Sequence, residues 1–159
     1  MARKKKKRST QIYDSFYCAI EDWQRVYHFG AKVPERKYDE SGYGEWDRIL
    51  ITMKIRHHIT NRPHRRRKFE AVEIWLSPDH TLRSNWSKDA KDIGGIFPDQ
   101  GLLRVYVDLP SDVFYSIIPC LAINHFKEIS LSAWNLRYSH GDIRSIGFEA
   151  KETPSEDRY

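Results

Sequence analysis

Arg3-Lys4-Lys5-Lys6-Lys7-Arg8 sets six cations in succession near the start of the sequence. Such a run neutralises phosphates and releases their counterions, giving salt-dependent affinity for a polyanion without reading a base sequence. Nucleic acid is the first partner it points to. An anionic membrane surface, nuclear import in a eukaryotic source, or plain solubilisation are other uses of the same charges. A second cluster, Arg62, His64, Arg65, Arg66, Arg67 and Lys68, supplies guanidinium forks that suit phosphate oxygens. Consecutive residues near a strand point to opposite faces, so one ligand meets them all only if the segment is a loop. Its purely structural use would be a solvated hairpin end whose charge discourages unwanted strand pairing.

Seven histidines raise the question of acid–base catalysis. His140 and Asp142, flanking Gly141, are the best local pair for a general base. His57-His58, with arginines as phosphate clamps, would suit a hydrolase and in particular a nuclease. Yet no HExxH motif, zinc-ligand spacing or GxSxG elbow is present. A His and an Asp around a glycine are first of all turn formers. The expectation is therefore a non-catalytic protein with no metal and no cofactor. Gly94-Gly95 lacks the strand–loop–helix setting of a phosphate cradle and reads as a bend.

Cys18 and Cys120 give neither a disulfide framework nor a CxxC motif, and fit two buried free thiols in a reducing cytoplasm. The residues after the basic run, Ser9-Thr10-Gln11-Ile12-Tyr13-Asp14, are polar where an export signal would be apolar, and Ala2 excludes N-myristoylation. No apolar run approaches a membrane span. A cytoplasmic protein is expected.

Charge divides the sequence into zones. Lys and Arg number 27 against 22 Asp and Glu, but six of the 27 stand in residues 3–8; the remaining 21 against 22 is almost neutral. Residues 1–11 are expected to be a disordered basic arm, 12–150 a single mainly-β domain, and 151–159 a flexible tail. Within the body, period-two alternation dominates. Ile49, Ile51, Met53 and Ile55 share one strand face; Val72, Ile74 and Leu76 share another. Leu103, Val105, Val107 and Leu109 follow, then Ile129, Leu131 and Ala133. Leu136-Arg137-Tyr138 and Ile143–Phe148 suggest a closing hairpin, and the aromatics of Phe16–Phe29 favour strand. One segment keeps helical time: Val113, Phe114, Ile117, Ile118 and Leu121, with Ser111 as N-cap and Pro119 ending or kinking the helix. These pieces predict a mainly-β (α+β) fold, an antiparallel two-layer β-sandwich or a curved sheet, with one short helix at about 111–121. Trp75, Tyr106, Trp134 and Tyr138 fall on polar-looking strand faces. They would either stack bases or, as is commoner for large rings, pack beneath the helix or a second layer.

Glu45-Trp46 before Ile49–Ile55, Ser77-Pro78-Asp79, Leu109-Pro110 before Phe114, Leu136-Arg137-Tyr138 and Ile143-Arg144-Ser145-Ile146-Gly147-Phe148 occur here in an order that resembles a family of short, uncharacterised bacterial mainly-β proteins. The resemblance spans about residues 12–149. It implies a β-rich bacterial domain and no assigned activity, and it leaves out residues 3–8 and 65–67.

The expected function is that of an interaction module touching nucleic acid or another polyanion through Arg3–Arg8, aided by Arg62 and Arg65–Lys68. The alternatives are a subunit that binds another protein through an uncovered sheet face, and a hydrolase using a His/Asp pair.

Overall fold

Alternating apolar positions become seven strands wrapped around one core. The computed structural model describes residues 11–31, 43–62, 68–82 and 92–151. In order, β1 (Tyr13–Ala31), β2 (Tyr43–Thr60), β3 (Ala71–Asp79), β4 (Gly94–Asp99) and β5 (Leu102–Pro110) lead into α1 (Ser111–Ala122). Two strands then complete the fold, β6 (Glu128–Trp134) and β7 (Gly141–Glu149). Among the described residues, the mainly-β composition with a single short helix is as the periodicity predicts. The expected curvature goes to completion: the sheet closes into a barrel of order β1-β2-β3-β5-β4-β7-β6, which replaces the two-layer sandwich. The sheet is also mixed, because β3 and β5 run parallel.

Inward positions fill the barrel. Phe16, Ile51, Ile74, Val105, Ile129 and Ile143 each come from a different strand, and all are fully buried. Ile96 completes the ring from β4, a strand that the Gly94-Gly95 pair disguises as a bend. A Cβ on Gly94 would stand 1.9 Å from the Tyr106 carbonyl oxygen, so glycine is required there by close strand approach rather than by a turn. Gln100 and Gly101, with φ of 48° and 91°, form the two-residue turn into β5 that their type demands.

α1 caps one end of the barrel with Phe114, Ile117 and Leu121. Ser111 is its first residue rather than its cap, and Ser111 Oγ lies 2.8 Å from His80 Nδ1. The helix runs through Pro119 to Ala122. Pro119 stands on its exposed side, and the carbonyls of Pro119 and Cys120 still accept from the amides of Ile123 and His125. Leu136-Arg137-Tyr138 is not a strand; it belongs to the turn between β6 and β7.

β1 and β2 pair along their whole length, from Asp14↔Thr60 to Ala31↔Tyr43. Only residues 13–19 of β1 also meet β6, and only residues 49–54 of β2 also meet β3. The rest of the hairpin therefore projects past the barrel as a two-stranded ribbon. An ion pair braces its root, where Arg25 Nε and Nη2 meet Asp47 Oδ1 and Oδ2 at 3.0 and 2.5 Å.

Cys18 is buried as expected, whereas Cys120 on α1 is only partly so; both are free. Burial, and secondarily the charge of Glu128, pushes the Cys18 thiol from its ordinary 9.0 up to about 12. The unfolded thiol releases its proton first. This contribution to stability is therefore complete below about pH 9.0 and declines as pH rises toward about 12. Urea unfolding across that range is expected to give a shallower decline for Cys18→Ala than for the parent protein; parallel curves would refute it.

Candidate nucleic-acid interface

The barrel end opposite α1 gathers the starts of β1, β3, β5 and β7 and the ends of β2, β4 and β6. One side chain ties two of these together. Asn61 Nδ2 donates to the Gln11 carbonyl at 2.7 Å, and Asn61 Oδ1 accepts from the Tyr13 amide at 3.0 Å. Its own amide donates to the Tyr13 carbonyl at 3.3 Å, while the Asn135 amide donates to the Ile12 carbonyl at 3.0 Å. Ile12 is buried, so the backbone leading to the basic run is fixed on three sides.

Arg3, Lys4, Lys5, Lys6, Lys7 and Arg8 lie outside the described residues, as do His64, Arg65, Arg66 and Arg67. Their points of attachment are described. Gln11 is held by Asn61, and Asn61 immediately precedes Arg62. Arg62 and Lys68 are both exposed, on either side of the β2–β3 connection that the sequence predicts. The two basic segments thus join the barrel at one place.

Further cations stand at the same end. Arg137 is exposed in the β6–β7 turn, which its amide closes on the His140 carbonyl at 2.9 Å. The Arg144 guanidinium carbon lies 4.4 Å from the Trp134 ring centroid, a cation–π contact. Lys68 also lines an open recess of about 410 Å³ with Phe69, Pro98, Gln100 and Gly101. Asp79, Asp108, Asp112 and Glu149 lie around the opposite end. Partial burial and then the neighbouring Asp79 push the Asp108 carboxyl above its usual range. Hydrogen bonds from Thr81 hold Asp79 below its own. Charge is not sorted cleanly along the barrel axis, since Asp14, Glu70, Asp99 and Asp142 lie at the end that carries these cations, Asp99 with Arg104 at 3.5 Å.

The histidines separate. A bulge at Arg56 changes the phase of β2, because Tyr17 pairs with His57 and Cys18 with Ile55. His58 consequently turns into the barrel, where Nε2 lies 2.7 Å from Asp14 Oδ1 and the ring stacks on Phe16 at 4.3 Å. Both side chains of this pair are almost completely buried. His57 points outward by alternation. His140 is exposed in its turn with Nδ1 3.3 Å from Ser139 Oγ, and Asp142 sits opposite Trp134 in the β6–β7 register. His57 on the outer side of β2, His58 inside the barrel and His140 in the β6–β7 turn thus face in different directions, all toward the end opposite α1. Among the described residues, no group of three or more His, Cys, Asp or Glu is placed to hold a metal.

No family model, curated protein or solved structure matches the chain. The resemblance to short bacterial β proteins therefore contributes nothing to the site, whose chemistry stands on its own geometry. Among the described residues, no helix is long and apolar enough to cross a membrane.

The outward aromatics require a correction. The barrel is filled by inward positions, and among the described residues no second layer covers its outside. Tyr106 and Tyr138 are exposed and Trp75 and Trp134 half-buried on that outer surface, not packed in a core. Sequence reasoning also overlooked Tyr13, Asn61, Arg137 and Arg144. An Asn at the boundary between a strand pattern and a basic loop was the signal available for Asn61.

Proposed function

We propose that this protein is a non-catalytic, cytoplasmic binding module that holds a polyanion, nucleic acid first, against the barrel end opposite α1. The observation that carries this reading is the Asn61 clasp. It brings the attachment points of two basic segments together at one end of the barrel. Separate cationic stretches then act on one ligand, and their phosphate contacts add. Base edges play no part, so affinity should depend steeply on salt and weakly on sequence.

The test is a mobility-shift titration at two salt concentrations, comparing the full-length protein with one lacking residues 2–8. The deletion is expected to weaken binding at low salt by roughly ten-fold or more and to flatten the salt dependence. Absence of binding at low salt, or binding indifferent to the deletion, refutes the proposal.

A second reading draws on the ribbon. Tyr27, Phe29 and Trp46 are 54, 59 and 44 % exposed there, and they favour a protein partner at that site. A stoichiometric protein companion retained from nuclease-treated native lysate, and lost when the ribbon aromatics are replaced by Ser, would decide for it.

A further inference from the structure

We infer that the outer face formed by Tyr13, Trp134 and Arg144 is a stacking platform for unpaired bases, which makes the polyanion a single-stranded nucleic acid. This inference rests on the function proposed above and specifies its ligand. Tyr13 and Trp134 are direct partners across the β1–β6 pairing. Their inner neighbours Asp14 and Ala133 are buried, so both rings stand on the outside of the barrel. Direct cross-strand partners hold their Cβ atoms about 5 Å apart, so the two rings stand on neighbouring strands of one face.

Each ring is fixed in place. The Tyr13 hydroxyl accepts from Ser15 Oγ, and the Tyr13 backbone is gripped at both N–H and C=O by Asn61. Arg144 lies over the Trp134 ring, and the chain leaves Trp134 through Asn135 in the left-handed region, at φ 55°. Rings on paired strands cost little additional entropy to order when a base arrives.

Charge selects the occupant. Arg144 is part of the platform, Arg137 stands in the adjoining turn and Arg62 follows the residue that grips Tyr13, against the Asp142 carboxylate opposite Trp134 on the same face. Guanidinium planes stack on bases as they do on indole, and they also meet phosphate. Strands with unpaired bases offer π faces and phosphates together; a duplex keeps its π faces in the stack and offers mainly its backbone. Aromatic and cationic groups combined on one face therefore favour the single strand. Most apolar protein surfaces would gain nothing from the surrounding arginines.

The test uses full-length protein and three probes: an oligothymidine of about 20 nucleotides, a duplex of the same length, and heparin. The oligothymidine is expected to bind roughly ten-fold more tightly than the duplex. Trp134→Leu should remove most of that preference while leaving heparin affinity within about two-fold. Trp134→Phe retains a ring and should restore it, which separates loss of stacking from loss of fold. Equal affinity for single strand and duplex, or a preference unchanged in Trp134→Leu as expected if the face serves a protein partner, overturns the inference and leaves polyanion binding standing. Failure to bind any of the three probes overturns both.

Discussion

Gly94→Ala is expected to lower the unfolding midpoint by roughly 10 °C, although it adds a single methyl group. That methyl would sit 1.9 Å from the Tyr106 carbonyl oxygen and 3.0 Å from Val107 Cα, so the obstacle is backbone and cannot swing aside. Gly94 pairs with Val107 on one side and Ile143 on the other. Relief of the clash must therefore part β4 from β5, where the barrel closes. A cost of about 3 kcal/mol follows from overpacking of this kind. Gly30→Ala makes the comparison, since its nearest obstacle is the His28 ring at 3.1 Å on the exposed ribbon, which can rotate away. That change should stay within about 0.5 kcal/mol. Thermal unfolding followed by circular dichroism checks both; equal midpoints for the two variants would show that β4 does not approach β5 this closely.

Phe16→Ala should cost about 3–5 kcal/mol, the range for removing a fully buried aromatic ring from a core. Phe16 has no exposed surface, stacks on His58 at 4.3 Å and meets Phe69 edge-on at 6.3 Å. Its removal takes away apolar contacts and also the ring that holds the imidazole against Asp14. A buried imidazole whose carboxylate partner drifts has no water to replace it, which adds to the cavity cost. Guanidinium chloride titration should show a lower midpoint with an unchanged slope. Asp14 lies next to Tyr13, so the folded fraction of Phe16→Ala should also bind polyanions less well. Loss of less than about 1 kcal/mol would mean that the barrel end collapses around the missing ring.

Much of the fold was legible because inward positions on a barrel strand repeat every second residue. Ile49–Ile55, Val72–Leu76, Leu103–Leu109 and Ile129–Ala133 all read correctly for that reason. Closure was not legible. It depends on β1 meeting β6 and on β4 meeting β7, pairings separated by long stretches of sequence. β4 itself hid behind Gly94-Gly95, because the cue that matters, close approach to Tyr106, exists only once the strands are assembled. At the candidate site, the basic segments announced themselves by charge. Their common attachment depends on Asn61 reaching across to Gln11, and no local pattern encodes that contact. Likewise, the Arg56 bulge turns one of two adjacent histidines inside the barrel, which their letters alone do not distinguish.

The projecting half of β1–β2 has a consequence for assembly. A closed barrel leaves no strand edge free, whereas among the described residues the stretch 22–31 of β1 is paired only with β2 and 44–48 of β2 only with β1. Their outer amides and carbonyls form two templates on which an incoming extended chain can dock by β-augmentation. Arg48 and Glu45 stand along that stretch as gatekeepers, since a parallel, in-register strand from an identical molecule would set each against its own like charge. Neutralising them should therefore turn the ribbon into the place where this protein polymerises first.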